Sequence, residues 1–197
     1  MGAILRSWAL SEQGHAEEGI AHIRAGLAAW RAAGNELLRP YFLGLLAVAY
    51  GRAGQAEQGL RVLAEALATA HDTGELWWEA ELYRLNGEFL LIPAAGKRAS
   101  RTAPTEAPML ADVDTGRLGR APLLMEAESC LLHALAIAQR PQAKSPELRA
   151  ALSLSQLWQR QGKADAARQL MAETYGWFTE GVDTADLKEA KALLDDL

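Results

Sequence analysis

One cysteine, Cys130, stands among 197 residues. No internal disulfide can staple the fold, so its stability has to come from packing, in a compartment expected to be reducing. The residues that sheets favour are scarce as well. Four Val and five Ile face 39 Ala and 32 Leu, which excludes a β-rich fold and makes an all-α chain the expectation. No stretch of about 18 apolar residues is free of charge, so no membrane span and no membrane partner are expected. The opening MGAILRSWALSEQGHAEEG lacks a basic region leading into an apolar core, which argues against secretion and for a cytoplasmic protein. With 20 Lys and Arg against 25 Asp and Glu, the net charge of −5 argues against nucleic acid as a partner.

What the chain does have is a repeat. QGHAEEGIAHIRAGLAAW from Gln13, AGQAEQGLRVLAEALATA from Ala53, LMEAESCLLHALAIA from Leu124 and QGKADAARQLMAETYGWF from Gln161 align on Gly19, Gly59, Ala127 and Ala167. Two of the spacings are 40 residues and the middle one is 68, so one period holds with a single excess of 28. Each unit reads as two antiparallel helices, A and B, the aligned segment being helix B. A small site in helix A falls at Ser7, Ala47, Gly87 and Ser155, and a large one three residues on at Leu10, Tyr50, Leu90 and Trp158. In helix B the small site is followed after four residues by Ile23, Leu63, Leu131 and Met171, and after seven by Gly26, Ala66, Ala134 and Thr174. Helices that cross at about 8–10 Å need small side chains at the contact and large ones beside it.

These sites resemble the tetratricopeptide repeat (TPR), whose signature places a large residue, Leu-Gly and Tyr in helix A and Ala, Phe and Ala in helix B. The resemblance implies a TPR-like α-solenoid of about four helix pairs plus a C-terminal capping helix. Its units run over about 1–34, 35–74, 75–144 and 145–182, with a terminal helix at 184–197 that covers the apolar end. Gly34 and Gly74 are placed as left-handed caps of helix B, Gly14, Gly54 and Gly162 in the turns within pairs, and Pro40 and Ser145-Pro146 at helix starts. The excess residues, 94–121, are proline-rich and mildly cationic and read as a disordered insertion. Met1 begins almost inside the first helix. Ile4, Leu5 and Trp8 are therefore expected to form an exposed apolar face, either because the chain is the C-terminal part of something longer or because the face forms a homodimer.

Longer strings carry a closer likeness. RPYFLGLLAVAYGRAGQ, GELWWEAELYRLNGEFLL, AKSPELRAALSLSQLWQRQGK and YGWFTEGVDTADLKEAKALLDDL resemble the C-terminal helical repeats of large bacterial AAA/STAND-type signalling ATPases, often fused to adenylate or guanylate cyclase domains. That resemblance implies sensing or partner binding here and catalysis elsewhere. Gly96-Lys97-Arg98 lacks the rest of a phosphate loop.

Chemistry-bearing clusters are sparse. His15, His22, His71 and His133 are scattered over different units without metal-ligand spacing, so no metal and no cofactor are expected. Cys130 lies beside Leu131 on an apolar helix and reads as an inert thiol. The carboxylates Glu79, Glu81 and Glu88, spaced with arginines, read as a solvated helix face, and no catalytic residue stands out. The groove formed by the A helices is the candidate site instead. The register places Trp8, Tyr41, Leu45, Arg52, Glu81, Arg84, Glu88, Arg149, Gln156, Gln159 and Arg160 near it. Of these, Trp8, Tyr41, Arg52, Arg84, Glu88, Arg149, Gln156 and Arg160 are the expected partner-binding residues, because Arg and aromatic side chains anchor interfaces. The arginines would suit an acidic peptide. In the Trp77-Trp78 pair one indole is expected to pack and the other to face solvent, since neighbours on a helix point about 100° apart. The expectation is a non-catalytic protein-interaction or sensor module; the alternatives are a small-metabolite sensor and a structural homodimerisation module.

Overall fold

The computed structural model describes residues 2–92, 121–140, 144–179 and 183–197, and those residues form α-helices and no strand. The helices are α1 (Gly2–Glu12), α2 (Ala16–Ala32), α3 (Arg39–Arg52), α4 (Ala56–Thr73), α5 (Glu79–Leu91), α6 (Ala121–Gln139), α7 (Lys144–Arg160), α8 (Ala164–Tyr175) and α9 (Ala185–Asp196), with a 3₁₀ turn at Leu76–Trp78. Consecutive helices pack as pairs, α1 with α2, α3 with α4, α5 with α6 and α7 with α8, and the pairs stack in chain order. The odd-numbered helices also touch one another in succession from α1 to α9, so they form one layer and the even-numbered helices the other. The expected disordered insertion at 94–121 lies outside the described residues except for Ala121, which opens α6.

Turn chemistry sets the pair geometry. Gly14, Gly54 and Gly162 sit between the helices of their pairs at φ of +96°, +71° and +78°, and Gly34 and Gly74 end α2 and α4 at +74°, all left-handed conformations that a Cβ disfavours. Leu38 adopts the same conformation at φ +63° without being glycine, and its amide donates to Glu75 Oε2 at 2.9 Å. That bond holds the strained residue in place from the next unit. Pro40 lies in the first turn of α3, whereas α7 starts at Lys144, ahead of the expected Ser145 cap.

The small and large sites do what their sizes allow. Ile23, Leu63, Leu131 and Met171 are all 0 % exposed, each contributing about 1.5–3 kcal/mol by burial. A Cβ at Gly19 would meet the Ser7 carbonyl oxygen at 2.8 Å, and one at Gly87 would meet Leu131 Cγ at 2.7 Å, so both glycines let the helices of a pair approach. Gly59 behaves differently. The Phe89 ring of the following unit occupies the space a side chain there would need, and a Cβ at Gly51 would stand 2.7 Å from Phe89 Cζ. In the second unit the small residue seats an aromatic ring of the next pair rather than its own partner helix.

Three stretches differ from expectation. Ile4 is only 1 % exposed because it fills the space over Gly26, and Trp8 packs beside the cluster around Phe42 and Leu45; Leu5 alone of the expected apolar face is exposed. α6 is long enough, with a mean hydropathy of 1.3, to cross a bilayer by length and composition, although no such segment was expected; its Ala127, Leu131, Ala134, Leu135 and Ala138 are buried in the core shared with α7. Finally, α9 starts 41 residues after α7, buries Leu187, Ala190 and Leu193 against α7 and α8, and occupies the helix-A position of a fifth unit. A clamp joins the last two pairs: Glu128 on α6 accepts hydrogen bonds from Trp158 Nε1 at 2.7 Å, Lys163 Nζ at 2.8 Å and Gln161 Nε2 at 3.1 Å.

Candidate binding groove

Because all the A-type helices lie in one layer, their exposed faces line a common groove. It encloses about 710 Å³ and takes residues from α1, α3, α5, α7 and α9, with Trp78 from the 3₁₀ turn. Seven of the eight expected partner-binding residues come together there: Trp8, Tyr41, Arg52, Arg84, Glu88, Arg149 and Gln156. Leu45 and Glu81 join them. Arg160 lies in an adjoining recess of about 350 Å³ that shares Glu88, Ser153 and Gln156 with the main groove, and Gln159 lines neither.

The floor is a charge network. Arg84 donates from Nε and Nη2 to the two oxygens of Glu81, at 3.0 and 2.8 Å, and from Nη1 to Glu88. Ser153 Oγ on α7 donates to Glu88 Oε1 at 2.7 Å, tying α5 to α7. Burial alone would lower the Arg84 pKa, but the hydrogen bond and charge of Glu81, then the charges of Glu88 and Asp186, hold it above the ordinary arginine value. Arg149 Nε stands 3.5 Å from Glu81 Oε2, an ion-pair distance without a hydrogen bond, and its guanidinium lies 5.9 Å from the Trp78 ring centroid. Arg52 at the far side makes a two-pronged contact with Glu12. Each groove arginine thus faces a carboxylate of the same groove, and five carboxylates line it against three arginines, a balance that disfavours an acidic ligand.

Glu79 and Glu81, expected on a solvated face, are 9 % and 7 % exposed. They open α5 where it packs under the second unit, and each faces a partner, Arg84 for Glu81 and His71 Nε2 at 3.3 Å for Glu79. His71 is therefore in contact with a carboxylate rather than merely solvated.

An aromatic wall adjoins the network. Tyr41 lies 5.5 Å from Phe42, 5.0 Å from Trp78 and 5.6 Å from Trp77, centroid to centroid. Trp78 packs beside Gly44 while Trp77 is 57 % exposed, the division expected of the pair. Sequence reasoning missed Glu12, Asp186 and Glu189 as lining residues. The 40-residue period, extended once more, would have placed α9 on the groove.

Cys130 lies outside the groove. Burial and the charge of Glu126 push its thiol pKa up, against a weaker opposing bond from Asn86, so it is a poor nucleophile. Among the described residues no group of three or more His, Cys, Asp or Glu is placed to hold a metal ion.

Stacked pairs with a groove on one layer define a TPR-like helical-repeat protein, and solved structures agree. The chain is similar to crystallised TPR-like repeats of a Podosopora anserina protein assigned as a kinesin light chain, at 14 % identity and a TM-score of 0.65, over 99 % of this chain and 83 % of that one. A glutamine-to-methionine form of those repeats matches at 13 % identity and a TM-score of 0.67, over 99 % and 82 %. Among curated sequences, an uncharacterized protein of Rhizobium meliloti (strain 1021) is 30 % identical over 100 residues, which is 51 % of this chain and 10 % of that protein. No protein-family profile matches the chain. Repeats of this fold generally mediate protein–protein interaction and are typically non-catalytic.

Proposed function

We propose that the chain is a non-catalytic interaction module that takes a segment of a partner protein into the groove of its odd-numbered helices. The observation that carries this reading is the groove itself, about 710 Å³ assembled from five helices and walled by aromatic and charged side chains. Large rigid aromatics supply contact area at low entropic cost, and Trp77, exposed beside Tyr41, is suited to be a hot spot. The setting is a cytoplasmic signalling ATPase, often one with a cyclase domain, whose catalytic domains act while these repeats sense. The likeness to such C-terminal repeats supports it, while the match to a tenth of the Rhizobium protein supports only a place for such repeats in a longer chain. The reading frame upstream of Met1 tests that setting, and one without a nucleotide-binding domain would overturn it.

The groove is tested by photo-cross-linking. Benzoylphenylalanine at Val48 or Gln156, in the groove, should capture a partner, and the same group at Arg61, on the outer face of α4, should not. Cross-links confined to position 61 would overturn the reading. A second reading, a small-metabolite sensor, draws on the volume, which lies within the roughly 300–1,000 Å³ of small-molecule sites. A thermal-shift response to a metabolite, lost in Tyr41→Ala, would favour it.

A further inference from the structure

We infer that the segment recognised in the groove is cationic, presenting a Lys or Arg side chain to the aromatic wall and to the acidic rim supplied by α9. The inference rests on the reading of the groove as a partner site and names the partner's chemistry.

Two independent observations converge. The first is charge: Glu12, Glu81, Glu88, Asp186 and Glu189 line the groove against Arg52, Arg84 and Arg149. Every one of those guanidiniums already faces a groove carboxylate, so an incoming anion would meet a lining in which carboxylates outnumber the cations. Among the described residues Asp186 has no basic partner within 4.0 Å, and Glu189 receives only a neutral hydrogen bond, from Gln156 Nε2 at 2.9 Å. The negative charge left over therefore sits on α9 and points the preference toward cations.

The second is the aromatic wall. Tyr41, Trp77 and Trp78 stand within 5.0–5.6 Å of one another, and aromatic faces attract ammonium and guanidinium groups. The wall already demonstrates this with its own residue, since Arg149 lies over Trp78. The exposed Trp77 offers a further face to an incoming cation.

The test uses fluorescence anisotropy of the full chain with three labelled peptides that share the same apolar residues and differ only in carrying Lys and Arg, Gln, or Glu. The basic peptide should bind at least about tenfold more tightly than the acidic one, and raising salt from about 0.05 to 0.5 M should shrink that ratio. Asp186→Asn with Glu189→Gln should cut the preference to about threefold or less. Circular dichroism on that double variant confirms that helicity is kept. A Glu peptide that binds as tightly as the basic one, or a preference untouched by the α9 substitutions, overturns the inference and leaves the groove reading standing. If no peptide binds while cross-linking at Val48 and Gln156 also fails, both fall together.

Discussion

Gly59 shows how much one absent methyl group decides. Alanine is the better helix former by about 0.5–1 kcal/mol, but here its Cβ would overlap the Phe89 ring, and overpacking costs about 1–3 kcal/mol. Overpacking wins. Gly59→Ala should lower thermal stability, while Gly59→Ala in a Phe89→Leu background should raise it relative to Phe89→Leu alone, a sign change that a double-mutant cycle reads directly. Glu128 gives a prediction in pH. Burial alone would raise its pKa, but the hydrogen bonds from Lys163, Trp158 and Gln161 hold it below the usual glutamate value. A lowered folded pKa means that the contribution is complete above the ordinary glutamate range and is lost as pH falls through the folded value. Glu128→Gln should therefore flatten the acid side of the stability curve and cost about 1 kcal/mol near neutrality, measured by denaturant unfolding. The small-residue rows were legible in the sequence because size at a fixed spacing is a local signal. The seat for Phe89 was not, because which ring meets which glycine depends on how successive pairs stack.

At the scale of the helix, α5 carries the groove floor and α9 closes the stack. Arg84→Ala would strip Glu81, 7 % exposed, of its hydrogen-bonded guanidinium and leave it only the 3.5 Å contact with Arg149, and breaking such a pair costs about 3–5 kcal/mol. Loss of binding in that variant would reflect the fold as much as recognition. Deleting α9 would bare the surface that receives Leu187, Ala190 and Leu193, so truncation before Ala185 should lower the melting temperature and increase binding of an apolar dye. Charge spacing announced the α5 pairs without showing which side of the helix is buried, and that is why Glu79 and Glu81 read as solvated. The role of α9 was only half legible: its amphipathic pattern marked a cover, while its place as a fifth A-type helix needed the period carried past the last complete pair.

Across the whole molecule, each pair leans on its neighbours, so protection should follow position in the stack. α3 buries nine residues, whereas α1 and α2 bury three each. Amide hydrogen exchange should open α1 and α2 ahead of α3, α5 and α7; uniform protection along the chain would contradict that order. The all-α layout and most of the groove followed from one repeat length, since a fixed period returns each A-type helix to the same layer. The groove's charge balance did not follow, because it turns on which ions already hold one another.

The ring of Phe89 rests on glycines of the preceding pair, which makes the second and third units a matched set. Engineers who shuffle or graft modules from this protein should make the cut after α2. A graft that separates α4 from α5 would leave a hollow on one side and a stranded aromatic on the other.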